Sequence, residues 1–181
     1  MAGIYFAATG SYPVEFVNWQ PVPYGTYNID SEVAINYYNK TSNGNLAGND
    51  KAIMEIRRAI LESLVEDRLI EFELQKRIKT DDLRAIINDK INSVVRDSGA
   101  DTEKQIRETY GLSMADFKEY VLRPQAKREI LEARLLLDDN GKTLVSSGDV
   151  LAKWLIKEKA AANVVVLLPG FLWEGKGMVA N

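Results

Sequence analysis

Neither cysteine nor histidine occurs in these 181 residues. Their absence excludes a disulfide, a thiol nucleophile, an imidazole acid or base, a Ser-His-Asp relay and an ordinary zinc site. What remains is carboxylate, lysine, tyrosine or hydroxyl chemistry, and no catalytic constellation, metal site or cofactor is expected from the pattern. An excess of one charge is also missing: 23 basic residues face 26 acidic ones, for a net charge of −3. Such a balance creates no field that gathers phosphate backbones, so nucleic acid is not an expected partner. Long apolar runs are missing too. The opening Met1-Ala2-Gly3-Ile4-Tyr5-Phe6-Ala7-Ala8-Thr9-Gly10 has no basic leader and is too short for a signal peptide or a membrane span. For an exported protein, the targeting segment is then expected to be absent from this chain. There is no heptad array and no internal repeat.

The hydrophobic share, 46%, is ordinary for a globular chain and sufficient for a core. The length fits one medium domain, or a helical domain with a small appendage. Pro13 to Val22 is rich in β-branched and aromatic residues and reads as a short strand or hairpin. Residues 24–39 read as a first helix, and Thr41 to Asn49 as a loop of turn formers. From Asp50 to Arg77 the helical signal is strong, with Ile53, Ile56, Ile60 and Leu64 on one stripe and Leu61, Val65, Leu69 and Phe72 widening it.

Thr80 is the expected N-cap of the next helix. Asp81 and Asp82 complement its dipole, and Leu83, Ile87, Ile91 and Val94 form its inward stripe. A short helix opens at Asp101 or Thr102 and stops at Gly111. Ser113 and Asp116 have capping-box spacing before a long helix that Pro124 should kink or divide. Asp138-Asp139-Asn140-Gly141 reads as a turn, residues 149–161 as a helix, and Val164 to Leu168 as a buried strand stopped by Pro169-Gly170.

The order of these elements carries a resemblance. Ile60-Leu61-Glu62-Ser63-Leu64-Val65-Glu66-Asp67-Arg68-Leu69-Ile70-Glu71 resembles the signature helix of the SurA N-terminal domain family. The acidic helix start at Thr80-Asp81-Asp82, and the phrase from Leu112 to Val121, follow in that family's order. Phe16-Val17-Asn18-Trp19-Gln20-Pro21-Val22 is similar to its strand "V-V-N-G-x-P-I", with Trp19 in place of the usual glycine. The last residues are similar to the first half of a parvulin prolyl-isomerase domain. Ala133-Arg134-Leu135-Leu136-Leu137 resembles its opening strand, and Trp173-Glu174-Gly175-Lys176-Gly177-Met178-Val179 resembles a shortened "W-F-G-x-G-x-M-V". Leu135 stands where that family has an active-site histidine, and the second half of the domain does not follow.

The resemblance implies a mainly α chain. An N-terminal strand segment (1–23) precedes a SurA N-terminal-like helical client-binding domain (24–134), and a partial α/β parvulin-like tail follows (135–181). It implies an extracytoplasmic folding helper that binds unfolded or extended polypeptides, with prolyl isomerisation, or a structural subunit using its N-terminal strand, as alternatives. A homo-oligomer is compatible with either.

Tolerant recognition of unfolded chains needs amphipathic and flexible side chains. The candidates are Tyr24, Tyr27, Tyr37, Tyr38, Met54, Met114, Phe117, Tyr120, Trp154, Phe171 and Trp173. For Phe117 and Tyr120, at helical spacing, core packing is the competing expectation, and Tyr37 and Tyr38 cannot both face inward. The pairs Glu66-Asp67, Asp81-Asp82 and Asp138-Asp139 read as solvated faces and helix starts rather than metal sites, because adjacent helical residues diverge by about 100°. Gly175-Lys176-Gly177 reads as a turn.

Overall fold

The computed structural model describes residues 12–41, 46, 48–99, 101–137 and 149–181. Strand β1 (Pro13–Val17) and strand β2 (Gln20–Pro23) form a hairpin, followed by helices α1 (Tyr24–Thr41), α2 (Asp50–Arg77), α3 (Thr80–Arg96) and α4 (Thr102–Tyr110). A short helix α5 (Met114–Phe117), a π-helical turn (Lys118–Leu122) and helix α6 (Arg123–Leu135) run on without a break. Helix α7 (Val150–Ala161) precedes three short strands, β3 (Val164–Val166), β4 (Phe171–Trp173) and β5 (Met178–Ala180). The chain is mainly helical.

Two compact units emerge, each assembled from separate stretches of sequence. One holds the described residues up to Glu66, together with Glu108–Gly111 and Lys159–Asn181; the other holds Asp67–Arg107 and the described part of Leu112–Glu158. In the second unit, a cluster of buried Ile70, Leu74, Leu83, Ile87, Ile91, Leu122, Ala126, Ile130, Leu131 and Leu155 forms the core. Fully burying one such side chain stabilises the fold by about 1.5–3 kcal/mol. The buried apolar side chains of the first unit include Val14, Val17, Val22, Leu61, Leu64, Val65 and Met178.

Helix α2 takes the expected bounds. Its most buried positions are Leu61, Val65, Ile70 and Leu74, whereas Ile53, Ile56 and Ile60 of the stripe read from sequence are only half-buried. On α3, Leu83, Ile87 and Ile91 are buried as expected, but Val94 is 48% exposed and Val95 packs against the core instead. One residue of rotation separates the two, and in the last turn the tertiary partner decides between them. Thr80 is the first residue of α3 rather than its cap; Lys79 occupies the N-cap with no side-chain bond.

Ser113 does cap α5. Its Oγ accepts from the Asp116 backbone N–H at 3.1 Å and donates to Asp116 Oδ2 at 2.6 Å. The shorter aspartate bonds the hydroxyl where a capping-box glutamate would reach back to the backbone. Pro124 lies in the first turn of α6, just past the π-helical turn. Proline removes the donor that would bond four residues back, and a widened π-helical turn immediately precedes it.

A three-stranded antiparallel sheet has the order β2-β1-β3, with β3 brought from the far end of the sequence to pair with β1. The β1–β2 turn consists of Asn18 (φ 47°) and Trp19 (φ 67°). Two positive φ values are what a type I′ hairpin turn requires, so the tryptophan sits in backbone space that glycine or asparagine normally fills. Strands β4 and β5 form a separate hairpin over the segment resembling "W-F-G-x-G-x-M-V". Two expectations are corrected. Residues 133–135 close helix α6 instead of opening a strand. The 164–168 run is an edge, with Val165 42% and Leu167 51% exposed, and is not buried. The turn read at 138–141 lies outside the described residues, as does most of the loop read at 41–49.

Candidate functional site

Helix α1 presents Tyr24, Tyr27, Asn28, Ser31, Glu32 and Ile35 along one face, at spacings of three and four residues that a helix brings into line. Within the first unit, this face lines a cleft of about 330 Å³ with Met54 and Arg57 of α2, Leu168 and Pro169 of the turn after β3, and Phe171 of β4. The volume lies at the small end of the range for ligand sites.

The Tyr24 backbone N–H donates to the Tyr12 carbonyl at 2.9 Å. The Tyr12 and Tyr24 rings stack at 4.7 Å, and the Tyr27 ring tilts against Tyr24 at 5.9 Å. Burial pushes the Tyr27 hydroxyl up from its ordinary value, opposed by the charge of Arg57 and by the Ser31 hydroxyl. Asn28 Nδ2 donates to Glu32 Oε1 at 2.9 Å. Arg57 is exposed and lines the cleft as its cation. The lining is thus aromatic and aliphatic with a few polar groups of both signs.

Four of the candidates read from sequence, Tyr24, Tyr27, Met54 and Phe171, meet in this cleft. The others do not. Tyr37 is exposed and stacks on Tyr110 at 5.3 Å, and Tyr38 is exposed. Phe117 and Trp154 pack against the core of the second unit, which for Phe117 is the core packing expected from its helical spacing. Met114 and Tyr120 are half-buried in that same unit. Trp173 is half-buried, with its indole N–H enclosed and unbonded among the described residues.

Sequence reading passed over three features of the first unit. Glu15, in the middle strand of the sheet, is 0% exposed, and neither carboxyl oxygen has a hydrogen-bond partner among the described residues. Burial alone pushes its carboxyl up to about 8. Arg57 is the second. The third is an ion-pair network in which Lys159 Nζ donates to Glu62 Oε1 and Glu66 Oε1, both at 2.9 Å. Arg58 joins it, donating to Glu62 Oε2 and to the Met178 carbonyl, each at 3.1 Å. Burial opposes ionisation of Glu62, yet Lys159, with Met178 and Arg58, holds its carboxyl below the ordinary value. This network ties the end of α7 and strand β5 to α2.

The acidic pairs behave as structural groups: Asp67 accepts from Arg128 Nη2 at 2.9 Å, and Asp81 and Asp82 stand exposed in the first turn of α3. Among the described residues, no group of acidic side chains is arranged to hold a metal ion, and no helix is long and apolar enough to cross a membrane. Comparison with protein-family models, curated proteins and solved structures finds no match for the chain.

Proposed function

We propose that the chain binds extended, partly apolar polypeptide segments in the α1–α2 cleft and acts as a chaperone-like module, similar to the SurA N-terminal domain, in the folding of exported proteins. The observation that carries this reading is the convergence of Tyr24, Tyr27, Met54 and Phe171 on one open cleft. Aromatic rings and a thioether give adaptable apolar contact at low ordering cost, and Asn28, Glu32 and Arg57 supply polar contacts for a passing backbone or side chain. On this reading the protein works outside the cytoplasm.

The test is suppression of aggregation of a chemically denatured protein diluted into buffer containing the whole chain. Met54 is 39% exposed, so Met54→Lys leaves the core intact while placing a charge in the apolar part of the cleft. That variant should need at least about fivefold more protein for the same protection, a loss of about 1 kcal/mol. If the unaltered chain gives no protection at stoichiometric excess, the reading fails. Acceleration of a proline-limited refolding phase in the same experiment would instead favour the isomerase alternative.

A further inference from the structure

The hydrogen-bond register of the β4–β5 hairpin identifies which backbone groups of β5 face away from β4. Asn181 N donates to Gly170 O at 2.9 Å, Glu174 N donates to Gly177 O at 3.1 Å, and Trp173 stands opposite Met178. Bonded and non-bonded pairs alternate in an antiparallel ladder. Met178 therefore belongs to a non-bonded pair and turns its N–H and C=O groups outward, away from β4.

Two side chains of α2 meet those groups. Arg58 Nη1 donates to Met178 O at 3.1 Å, and the Met178 N–H favours the ionised form of Glu62. Residues four apart lie one above the other on a helix face, so Arg58 and Glu62 offer a donor and an acceptor to one strand residue, as a neighbouring strand would. The two are fixed in turn. Arg58 also donates to Glu55 Oε2 at 2.9 Å and to Glu62 Oε2 at 3.1 Å, and Lys159, whose side chain is 12% exposed, bridges Glu62 and Glu66. Ion pairs this enclosed are screened little by salt. Gly177, beside Met178, leaves little slack: a Cβ there would lie 3.4 Å from Glu62 Oε1.

The same helix lines the cleft with Met54 and Arg57, while β4 contributes Phe171. Strand β4 lies alongside β3 without pairing with it, and β5 joins the hairpin to α2 at Met178. We propose that Arg58, Glu62 and Lys159 are positioning residues for the cleft: by holding β5 to α2 they fix the hairpin and keep Phe171 in the lining. The proposal rests on the polypeptide-binding reading above and adds what sets the shape of that site. None of the three residues lines the cleft, so each acts through β5 and Phe171 rather than on the bound segment.

Amide hydrogen exchange of the whole chain, read by mass spectrometry, follows the hairpin, and the aggregation assay follows the cleft. Arg58→Met should speed exchange over residues 170–181 at least about tenfold while leaving residues 13–23 within about twofold. In the aggregation assay, Arg58→Met and Phe171→Ala should each need at least about threefold more protein for the same protection. The double variant should need no more than the worse single one, because two losses that run through one side chain do not add. Lys159→Arg keeps a cation between Glu62 and Glu66 and should match the unaltered chain in both assays. If circular dichroism shows that Arg58→Met is unfolded, Arg58→Lys takes its place, keeping the charge and losing the forked donor set.

Unchanged exchange over residues 170–181 in the folded variant overturns the proposal, and so do losses of protection that multiply in the double variant. Exchange that accelerates while protection survives leaves polypeptide binding standing and the positioning role refuted. Protection that is untouched by Phe171→Ala has the same meaning. If the unaltered chain gives no protection, the broader reading is lost and the positioning role with it, and exchange alone then decides whether α2 holds β5.

Discussion

At Glu15 a carboxyl sits on the central strand with Val22 and Val166 as its cross-strand neighbours. Neither β2 nor β3 carries a titratable residue, and no charged group on α1 shifts its ionisation; burial is the only cause. Folding raises this carboxyl from 4.5 to about 8. Between those values the folded chain holds a proton that the unfolded chain has released, so stability falls as pH rises through the window, by about 1.4 kcal/mol per pH unit. The contribution is fully present below the lower value and lost above the upper. Glu62 and Glu129, both held below their ordinary value in the folded chain, act in the opposite sense, and their contribution is lost only in acid. Urea midpoints measured at pH 6, 7 and 8 should fall steadily for the natural chain and stay nearly level for Glu15→Gln. A parallel fall in both would show that Glu15 is ionised or solvated in the folded state. The strand pattern Pro13-Val14-Glu15-Phe16-Val17 held a signal for this residue, since glutamate shares the parity of buried Val17, but the tertiary packing that buries it was not readable.

Among the elements, long helices were legible because 3.6-residue periodicity repeats enough times in α2 and α3 to identify them and their bounds, although Val95 rather than Val94 packs inward at the end of α3. Short strands were not: β3 was recognisable as a strand from three consecutive valines, yet its burial depended on having one partner rather than two. The β1–β2 hairpin shows the same division. Trp19 at φ 67° is forced into left-handed backbone by the register of the two strands, and its side chain is 77% exposed, so no packing compensates. Glycine there relieves about 1–2 kcal/mol of backbone strain against an entropic cost of about 0.5–1 kcal/mol. Trp19→Gly should therefore raise the thermal midpoint, consistent with a net gain of about 0.5–1 kcal/mol. A lower midpoint would mean that the indole makes a stabilising contact beyond the described residues.

For the molecule as a whole, the near balance of 23 basic and 26 acidic residues predicts that any polypeptide binding of the kind proposed depends on apolar burial rather than on a long-range field. Affinity for a denatured protein should change less than about threefold between 50 and 300 mM salt, and the heat-capacity change on binding should be negative. A steep loss with salt would point instead to ion pairing at Arg57 and Glu32. What the amino-acid order determined by itself was the helical class, the extent of the main helices and a set of aromatic and methionine candidates, because periodicity and turn chemistry are local. Only the tertiary structure decided which candidates meet: Tyr24, Tyr27, Met54 and Phe171 in one cleft, Phe117 and Trp154 in a core. It also decided that residues 164–166 would reach back to pair with β1, and that Glu15 on that strand would be fully buried. Those outcomes rest on contacts between residues tens of positions apart, and more than a hundred for Phe171 in the cleft and for β3 against β1, which no local spacing encodes.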